Sequence, residues 1–264
     1  MRIVVCIKQV PNTNEVKLDP VTGTLQREGI PSIINPDDMA GIEAALTLKE
    51  ELGGDAKITV VSMGPAQADI ALREALAMGC DDAHLVSDRS FGGADTWATS
   101  ATLAAALKVI GYDLIITGRQ AIDGDTAQVG PQIAEHLGLP QVTYVEGIKL
   151  EGKSHVIVKR QYEDRYQMIR VALPALVTTL SSLNTPRYMS VGGIVDAYEK
   201  EVGLLKYSDI KDHVSQENIG LKGSPTKVKR SFTKTAKSKG TLHEVPEDEA
   251  VEIIVQKIKE RYVL

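Results

Sequence analysis

The stretch L-I-I-T-G-R-Q-A-I-D-G-D-T-A-Q-V-G, residues 114–130, decides how this chain folds. An apolar, β-branched run leads into a segment rich in glycine and acidic residues. This pattern predicts a buried strand, a loop and then a helix over 126–135. The chain therefore turns from strand to helix around Asp123, Gly124 and Asp125, and this connection is the first place to look for a bound ligand.

Two interpretations of this connection stay open on spacing alone. In the first, Gly118 and Gly124 let the backbone approach a ligand, and the first-turn amides after Asp125 donate hydrogen bonds to phosphate oxygens. In the second, the connection is an ordinary strand-to-helix turn in which Asp125 or Thr126 caps the helix. The first interpretation predicts a nucleotide site and the second predicts none.

Apolar runs alternate with segments of helical period through the first half of the chain. The predicted strands are Ile3–Ile7, Ile58–Ser62, Ala83–Val86 and Leu114–Thr117, and the predicted helices are Asp38–Leu52, Ala66–Met78 and Asp95–Ile110. Strands that are hydrophobic throughout indicate a parallel sheet covered on both faces, so the fold class is α/β with an open, doubly wound sheet. Ligands of such sheets bind at the carboxyl ends of the strands.

The pattern changes after Pro140. Residues 155–160 and 167–173 predict an antiparallel hairpin, followed by a buried strand over 175–180. From about residue 184 the signals for a core weaken, although 246–262 has the period of an amphipathic helix. We therefore expect a nucleotide-binding α/β domain over residues 1–195 and a C-terminal arm over residues 196–264.

Composition and absent motifs exclude several functions. The net charge of -5 and pI near 5.6 argue against nucleic acid as the main partner. No apolar run approaches the length of a membrane span, and the two cysteines read as reduced thiols, so we expect a cytoplasmic protein. The sequence has no G-x-G, no G-x-x-x-x-G-K-[ST] loop and no histidines at metal-ligand spacing. What remains is a binder of a nucleotide or cofactor that supplies the difficult chemistry itself.

Six short blocks together resemble the β subunit of the electron-transfer flavoproteins. They are K-Q-V-P-N at 8–12, N-P-D-D at 35–38, V-S-M-G-P-A-Q at 61–67, A-L-A-M-G at 75–79, the 118–130 connection and L-N-T-P-R-Y at 183–188. They occur in order with ordinary spacing. The resemblance implies an open α/β sheet similar to the universal-stress and adenine-nucleotide α-hydrolase domains, with a C-terminal arm reaching an α subunit.

The resemblance also implies a cofactor, which is AMP in some members of the family and FAD in those that oxidise NADH and bifurcate its electrons. The small residues of Asp123–Ala127 resemble the bifurcating type, so FAD is expected and AMP is the alternative. The implied cofactor-binding residues are Cys6, Asn35, Asp38, Met63, Gly118, Arg119, Gln120, Asp123, Gly124, Asp125, Thr126, Ala127, Gln128 and Val129. No metal ligand and no catalytic side chain is implied.

The resemblance finally implies the partners. These are the α subunit, an acyl-CoA-dehydrogenase-like or other flavin dehydrogenase, and ferredoxin or flavodoxin. The implied docking residues for the dehydrogenase are Leu183, Pro186, Arg187, Tyr188 and Val191, with Val191 at the apolar anchor position. Three functions stay open: a bifurcating subunit with FAD, a plain carrier subunit with structural AMP, and a nucleotide-binding module of the stress type that acts alone.

Overall fold

The structure is a computed structural model that describes residues 1–12, 17–18, 25–26, 31–227 and 240–261. The strands are β1 Arg2–Cys6, β2 Gln9–Pro11, β3 Lys17–Leu18, β4 Leu25–Gln26, β5 Ser32–Ile34, β6 Lys57–Met63, β7 Asp82–Val86, β8 Leu114–Gly118, β9 Gln141–Glu151, β10 His155–Gln161, β11 Tyr166–Ala172, β12 Ala175–Thr179 and β13 Val202–Leu205. The helices are α1 Pro36–Glu51, α2 Asp69–Met78, α3 Thr96–Ile110, α4 Val129–Leu137, α5 Val191–Glu199, α6 Tyr207–Ile210, α7 Gly220–Gly223 and α8 Glu247–Glu260. This confirms the predicted α/β class.

A nine-stranded sheet in the order β11-β10-β9-β12-β8-β1-β6-β7-β13 forms the centre of the fold. Every neighbouring pair from β9 to β13 in this order is parallel, whereas β9, β10 and β11 pair antiparallel. The antiparallel hairpin predicted after Pro140 is therefore confirmed. Two short sheets, β2 with β5 and β3 with β4, are also present.

Both faces of the large sheet are covered by helices. One core cluster contains side chains of α1 and α2, such as Ile42 and Leu72, and the other contains side chains of α3 and α4, such as Leu107 and Ile133. The residues of β8 and β12 are buried on both faces, which explains why these strands read as unbroken apolar runs. The doubly wound arrangement that the sequence predicts is confirmed.

The chain reverses its direction of sheet growth beside β1. β6 and β7 extend the sheet on one side of β1, and β8 then pairs with its other side. Such a reversal opens a crevice at the carboxyl ends of the two strands, because their connections lead to opposite faces of the sheet. The crevice between β1 and β8 is therefore the expected ligand site.

One predicted boundary is wrong. The helix after β8 begins at Val129, not at Thr126, and neither Asp125 nor Thr126 caps it, because the N-cap residue is Gln128. Asp125 and Ala127 both have a φ of 51°. A residue with this backbone angle cannot belong to a right-handed helix, so the loop continues up to α4.

Two strands of the large sheet, β9 and β13, were not predicted, and neither were the short strands β2 to β5. β9 alternates buried and exposed residues only at its start, and β13 contains glycine, so neither has the continuous apolar run of the other strands. β13 forms the edge of the large sheet by pairing with β7. The first compact unit comprises the described residues up to Lys227, so α6 and α7 belong to it. The division at residue 195 stays a prediction, because it concerns which residues contact a partner.

The second compact unit contains α8 within the described residues 240–261. Three acidic residues occupy the first turn of α8 and two lysines its last turn, which suits the helix dipole. None of its residues is buried. The helix predicted over 246–262 is thus present, although residue 262 lies outside the described residues, as do 228–239 of the predicted arm. Among the helices described, none has the length and apolar character that crossing a bilayer requires.

Candidate functional site

The crevice between β1 and β8 is held in shape by Asp38 from the first turn of α1. Its Oδ2 accepts a hydrogen bond from the backbone amide of Lys8 at 2.7 Å, and its Oδ1 accepts one from the amide of Gly118 at 2.9 Å. Lys8 lies two residues after the end of β1, and Gly118 is the last residue of β8. One carboxyl group therefore joins the carboxyl ends of the two strands that border the crevice.

Gly118 is required here because the backbone comes very close to α1. A Cβ at this position would lie 2.1 Å from Oδ1 of Asp38 and 2.9 Å from the amide nitrogen of the same residue. Gly130, at the start of α4, is equally restricted, since its Cβ would lie 2.5 Å from Oγ1 of Thr117. Gly124 differs, because a Cβ there would meet nothing within 4 Å. Two of the three loop glycines are thus demanded by packing inside the protein, and Gly124 is not.

The connection 119–128, which we call the β8–α4 loop, is tied down by side chains from elsewhere. Asn35 donates from Nδ2 to the carbonyl of Gln120 at 2.8 Å and accepts at Oδ1 from the amide of Ile122 at 3.1 Å. Lys8 forms an ion pair with Asp123 at 2.7 Å. Gln120 donates from Nε2 to Asp125 at 2.8 Å. The acidic side chains of the loop are therefore engaged before any ligand arrives.

The end of the β8–α4 loop presents a row of free amides. The backbone N–H groups of residues 126–130 donate no hydrogen bond within the described part of the chain. Asp125 and Ala127 have positive φ while Gln128 has a φ of -110°, and such a change of sign turns successive amides toward one point. Left-handed geometry costs a residue other than glycine about 1–2 kcal/mol. Amides arranged in this way bind anions.

These amides border a cavity of about 770 Å³. Its first part lies over the crevice and is lined by Cys6, Asp38, Met63 and the β8–α4 loop. Its second part lies against residues 87–96, which we call the β7–α3 connection and which include Phe91, Gly92 and Gly93. The cavity thus extends from the free amides across the carboxyl ends of four strands, β8, β1, β6 and β7.

The β7–α3 connection is the part of the site that the sequence analysis missed. Asp88 accepts a hydrogen bond from the amide of Ser90 at 2.9 Å, and Asp95 caps α3 by accepting from the amide of Ala98 at 3.0 Å. Asp95 also accepts from the amide and hydroxyl of Thr226, at 2.9 and 2.8 Å. The segment D-R-S-F-G-G-A-D after a predicted strand carries the same signal as the β8–α4 loop, glycine and acidic residues between strand and helix.

Two buried ionisable groups in the crevice, Asp38 and Cys6, are shifted toward their uncharged forms. Burial raises the pKa of Asp38 to about 7, although hydrogen bonds from Asn35, Lys8 and Gly118 oppose the shift. Burial and the nearby Asp38 raise the pKa of the Cys6 thiol to about 12. Asp38 therefore carries less negative charge near neutral pH than an ordinary carboxylate, which reduces its repulsion of an anionic ligand, and Cys6 is a protonated thiol and no nucleophile.

The structure brings nearly all the predicted cofactor residues together. Those that line the cavity are Cys6, Asp38, Met63, Gly118, Arg119, Gln120, Gly124, Asp125, Thr126, Ala127, Gln128 and Val129. Asn35 and Asp123 stand behind the lining and hold the loop through the hydrogen bonds described above. Within the described residues, no group of three or more histidine, cysteine or acidic side chains is arranged to hold a metal ion.

The predicted docking residues lie elsewhere on the same compact unit. Tyr188 is 98% exposed and Val191, the first residue of α5, is 82% exposed. Arg187 is engaged within the chain, since its guanidinium pairs with Glu43 at 2.8 Å and Glu50 at 2.7 Å. Leu183 and Pro186 are half-buried. Only Tyr188 and Val191 of this group offer a largely free side chain to a partner.

Comparison with known proteins shows the family. The electron transfer flavoprotein domain matches residues 22–206. The chain is 55% identical over 264 residues to the electron transfer flavoprotein subunit beta of Clostridium acetobutylicum, which covers both proteins completely. It is 56% identical over 266 residues to the caffeyl-CoA reductase-Etf complex subunit CarD of Acetobacterium woodii, again with complete coverage of both. It is also 42% identical to protein FixA of Azorhizobium caulinodans, over 99% of this chain and 95% of that protein.

This chain belongs to the family of electron-transfer flavoprotein β subunits. The open α/β sheet with its cavity at the carboxyl ends of the strands is the architecture that the resemblance implied.

Proposed function

We propose that this chain is the β subunit of an electron-bifurcating flavoprotein and binds FAD in the cavity described above. It accepts hydride from NADH there, and one electron then passes to the FAD of the α subunit and on to a flavin dehydrogenase. The other electron passes to ferredoxin or flavodoxin. When bound, the flavin would supply the redox chemistry.

The observation that carries this proposal is the continuity of the cavity. The free amides of 126–130 and the crevice around Asp38 provide room for a nucleoside and phosphate. The same cavity then continues along the β7–α3 connection past Phe91 to Asp95. AMP has less than half the atoms of FAD and would leave this second part empty. A volume of about 770 Å³ in one continuous space favours the dinucleotide.

The protein groups would act by binding and orientation. The amides of residues 126–130 would hold the pyrophosphate, since they have no other partner in the described chain. Asp123 and Asp125 would otherwise repel it, but Lys8 and Gln120 already engage their carboxylates. Because its pKa is raised, Asp38 would carry less negative charge than an ordinary carboxylate and would repel the ligand less. The acidic residues of the loop thus have partners within the protein that reduce their repulsion of a dianion.

The names of the relatives support the same assignment. CarD belongs by name to a complex of a caffeyl-CoA reductase with an electron-transfer flavoprotein, and a protein of Anaerotignum propionicum that is 49% identical is named acryloyl-CoA reductase electron transfer subunit gamma. Both names join a subunit of this kind to a reductase of an acyl-CoA. We therefore propose an acyl-CoA-dehydrogenase-like or related flavin enzyme as the partner, and a cytoplasmic αβ heterodimer in which residues 196–264 contact the α subunit.

We place the contact with that dehydrogenase at Tyr188 and Val191. An exposed apolar side chain at the start of a helix suits a transient contact between redox proteins. Val191→Asp would have to bury a charge at the contact, so electron delivery to the dehydrogenase should weaken about tenfold while flavin content stays the same. Unchanged reduction of the dehydrogenase would make this segment a plain connector.

A count of flavin on the purified heterodimer tests the proposal most directly. Two FAD molecules for each αβ pair are expected, with NADH oxidation by the complex. One FAD together with one AMP would mean that the chain is a carrier subunit with a structural nucleotide. A chain that is stable alone, without an α subunit, and binds ATP would instead favour the stress-type module.

A further inference from the structure

Helix α5 displays an apolar stripe to solvent and buries almost nothing. Val191, Val195 and Tyr198 lie on one side of it and are 82%, 56% and 72% exposed. Ala197 is its only buried residue. Helices of this length are marginal in water without tertiary support. The support for α5 must therefore come from interactions other than burial of its own side chains.

Arg73 of α2 provides this support at the C-terminal end of α5. Its Nη1 donates to the carbonyls of Ala197 at 2.7 Å and Lys200 at 3.3 Å, with that of Tyr198 at 3.5 Å. The last carbonyls of a helix have no partner within the helix, and a positive charge is favourable there. An ion pair with Asp69 at 2.7 Å fixes the guanidinium, whose central carbon lies 5.4 Å from the centre of the Tyr198 ring.

The N-terminal half of α5 is fixed by close approach to the same helix. A Cβ on Gly193 would lie 2.4 Å from the carbonyl oxygen of Ala77 in α2, so the two helices touch through backbone. Ser190 caps α5 by accepting from the amide of Gly193 at 2.9 Å. Arg187, just before the cap, is held by Glu43 and Glu50 of α1. Contacts with α1 and α2 thus fix the position of the apolar stripe.

We propose that Arg73 is a positioning residue for docking, because it holds the C-terminal end of α5 and Tyr198 in the geometry that the dehydrogenase binds. The inference rests on the proposed function of the Tyr188–Val191 segment and extends the docking surface along α5 to Val195 and Tyr198. A surface that is ordered before contact loses less conformational entropy on binding. Loss of the hydrogen bonds from Arg73 to α5 should therefore weaken docking, although Val191 itself is unchanged.

The test uses the αβ heterodimer, reduced chemically so that NADH plays no part, with the caffeyl-CoA reductase of Acetobacterium woodii as the acceptor. In Arg73→Met the KM for the acceptor should rise about fivefold, with kcat and reduction of a small soluble oxidant unchanged. The amides of α5 should exchange hydrogen faster. Arg73→Lys keeps a positive charge at the carbonyls and should recover most of the affinity. Arg165→Met, which removes an exposed arginine of the β10–β11 hairpin, is the matched control and should resemble the parent.

Each possible result either supports or overturns the proposed role of Arg73. Faster exchange in α5 with an unchanged KM would overturn the inference, and so would unchanged exchange. A parallel fall in all activities and in thermal stability would show a purely structural role. Asp69→Asn loosens Arg73 without removing it, so it gives a milder version of the same test if Arg73→Met folds poorly. If Val191→Asp also leaves the KM unchanged, the docking surface itself is wrong, whereas a response to Val191→Asp alone would reject only the role of Arg73.

Discussion

The β7–α3 connection and the β8–α4 loop both lead from a strand to a helix at the cavity, but they satisfy their backbone amides in opposite ways. In the first, Asp88 and Asp95 accept hydrogen bonds from the amides that follow them. In the second, no side chain caps α4 and the amides of 126–130 remain free within the described chain. The first connection is capped by its own side chains, and we call it the wall of the cavity. The second needs an anion to complete it.

The carboxyl groups beside the two connections also differ, because their pKa values are shifted in opposite directions. Burial raises the pKa of Asp38, which supports the β8–α4 loop. For Asp95, burial also raises the pKa, but hydrogen bonds from Ala98 and Thr226 outweigh it and hold the pKa below its usual value. A capping carboxylate is stabilised in its charged form, whereas Asp38 is destabilised in that form. Asp38 therefore repels a bound anion less than Asp95 would at the same distance.

The largest expected effect comes from Gly118→Val at the base of the β8–α4 loop. The new side chain would overlap the carboxyl group and backbone of Asp38, so the free energy of unfolding should fall by about 3 kcal/mol or more. Denaturant titration of the heterodimer measures this. Gly124→Ala is the matched control, because a Cβ there meets nothing and the unfolding midpoint should not move. A parent-like midpoint for Gly118→Val would mean that the crevice is not tightly closed.

Gly124→Asp should leave the fold intact and remove the ligand. A carboxylate at the free amides would repel the pyrophosphate and compete for its hydrogen bonds, at a cost of about 2–4 kcal/mol in FAD binding. The heterodimer should retain the α-subunit flavin and lose NADH oxidation. Thr126→Tyr should act in the same way by crowding, and Gly124→Ala should retain both flavins. If Gly124→Asp and Thr126→Tyr both retain two flavins and the parent activity, the phosphate does not bind at this loop.

The pH dependence of stability should show the raised pKa of Asp38. Because the folded pKa of about 7 exceeds the unfolded value near 4, the folded state binds the proton more tightly. The contribution of this group to the free energy of unfolding is therefore fully present below the unfolded pKa and is lost as pH rises through the folded pKa of about 7, by up to about 1.4 kcal/mol for each pH unit. Unfolding midpoints at pH 5, 6, 7 and 8 measure the slope. In Asp38→Asn the slope should become shallower, and an identical slope would assign the titration to another group.

Asp95→Ala should cost about 1–2 kcal/mol of stability, because α3 loses its cap. Thr226 also loses its acceptor. FAD should still bind, since this connection does not supply the free amides. The corresponding residue of the other connection, Gln128, makes no capping bond, so Gln128→Ala should change stability by less than about 0.5 kcal/mol. Equal costs for the two variants would remove the distinction between wall and binding loop.

The sequence predicted the sheet because its central strands are buried on both faces and therefore have continuous apolar runs. It failed at β9 and β13, where partial exposure and a glycine weaken that pattern. It also placed the start of α4 at Thr126, since acidic and hydroxyl residues after a strand usually cap a helix. The left-handed geometry of Asp125 and Ala127 could not be foreseen from residue types that rarely adopt it.

The binding side of the cavity was accessible from sequence through the 118–130 motif and the family resemblance. The β7–α3 connection carries a similar pattern of glycine and acidic residues between strand and helix, but no family block covers it and the pattern alone does not assign it to the site. Only the sheet order, which places β7 beside β6 and thus near β1, brings this connection to the same cavity. Arg73 was equally hidden, since its carbonyl partners in α5 are more than a hundred residues away in the sequence.

The hydrogen bonds of Thr226 to Asp95 have a consequence for protein engineering and for evolution. They fasten the chain directly before Lys227, the last residue of the first compact unit, and every residue that lines the cavity precedes this point. A polypeptide shortened to end there would keep the whole pocket. If residues beyond this point contact the α subunit, as proposed above, they can be exchanged between lineages without altering any residue that lines the cavity.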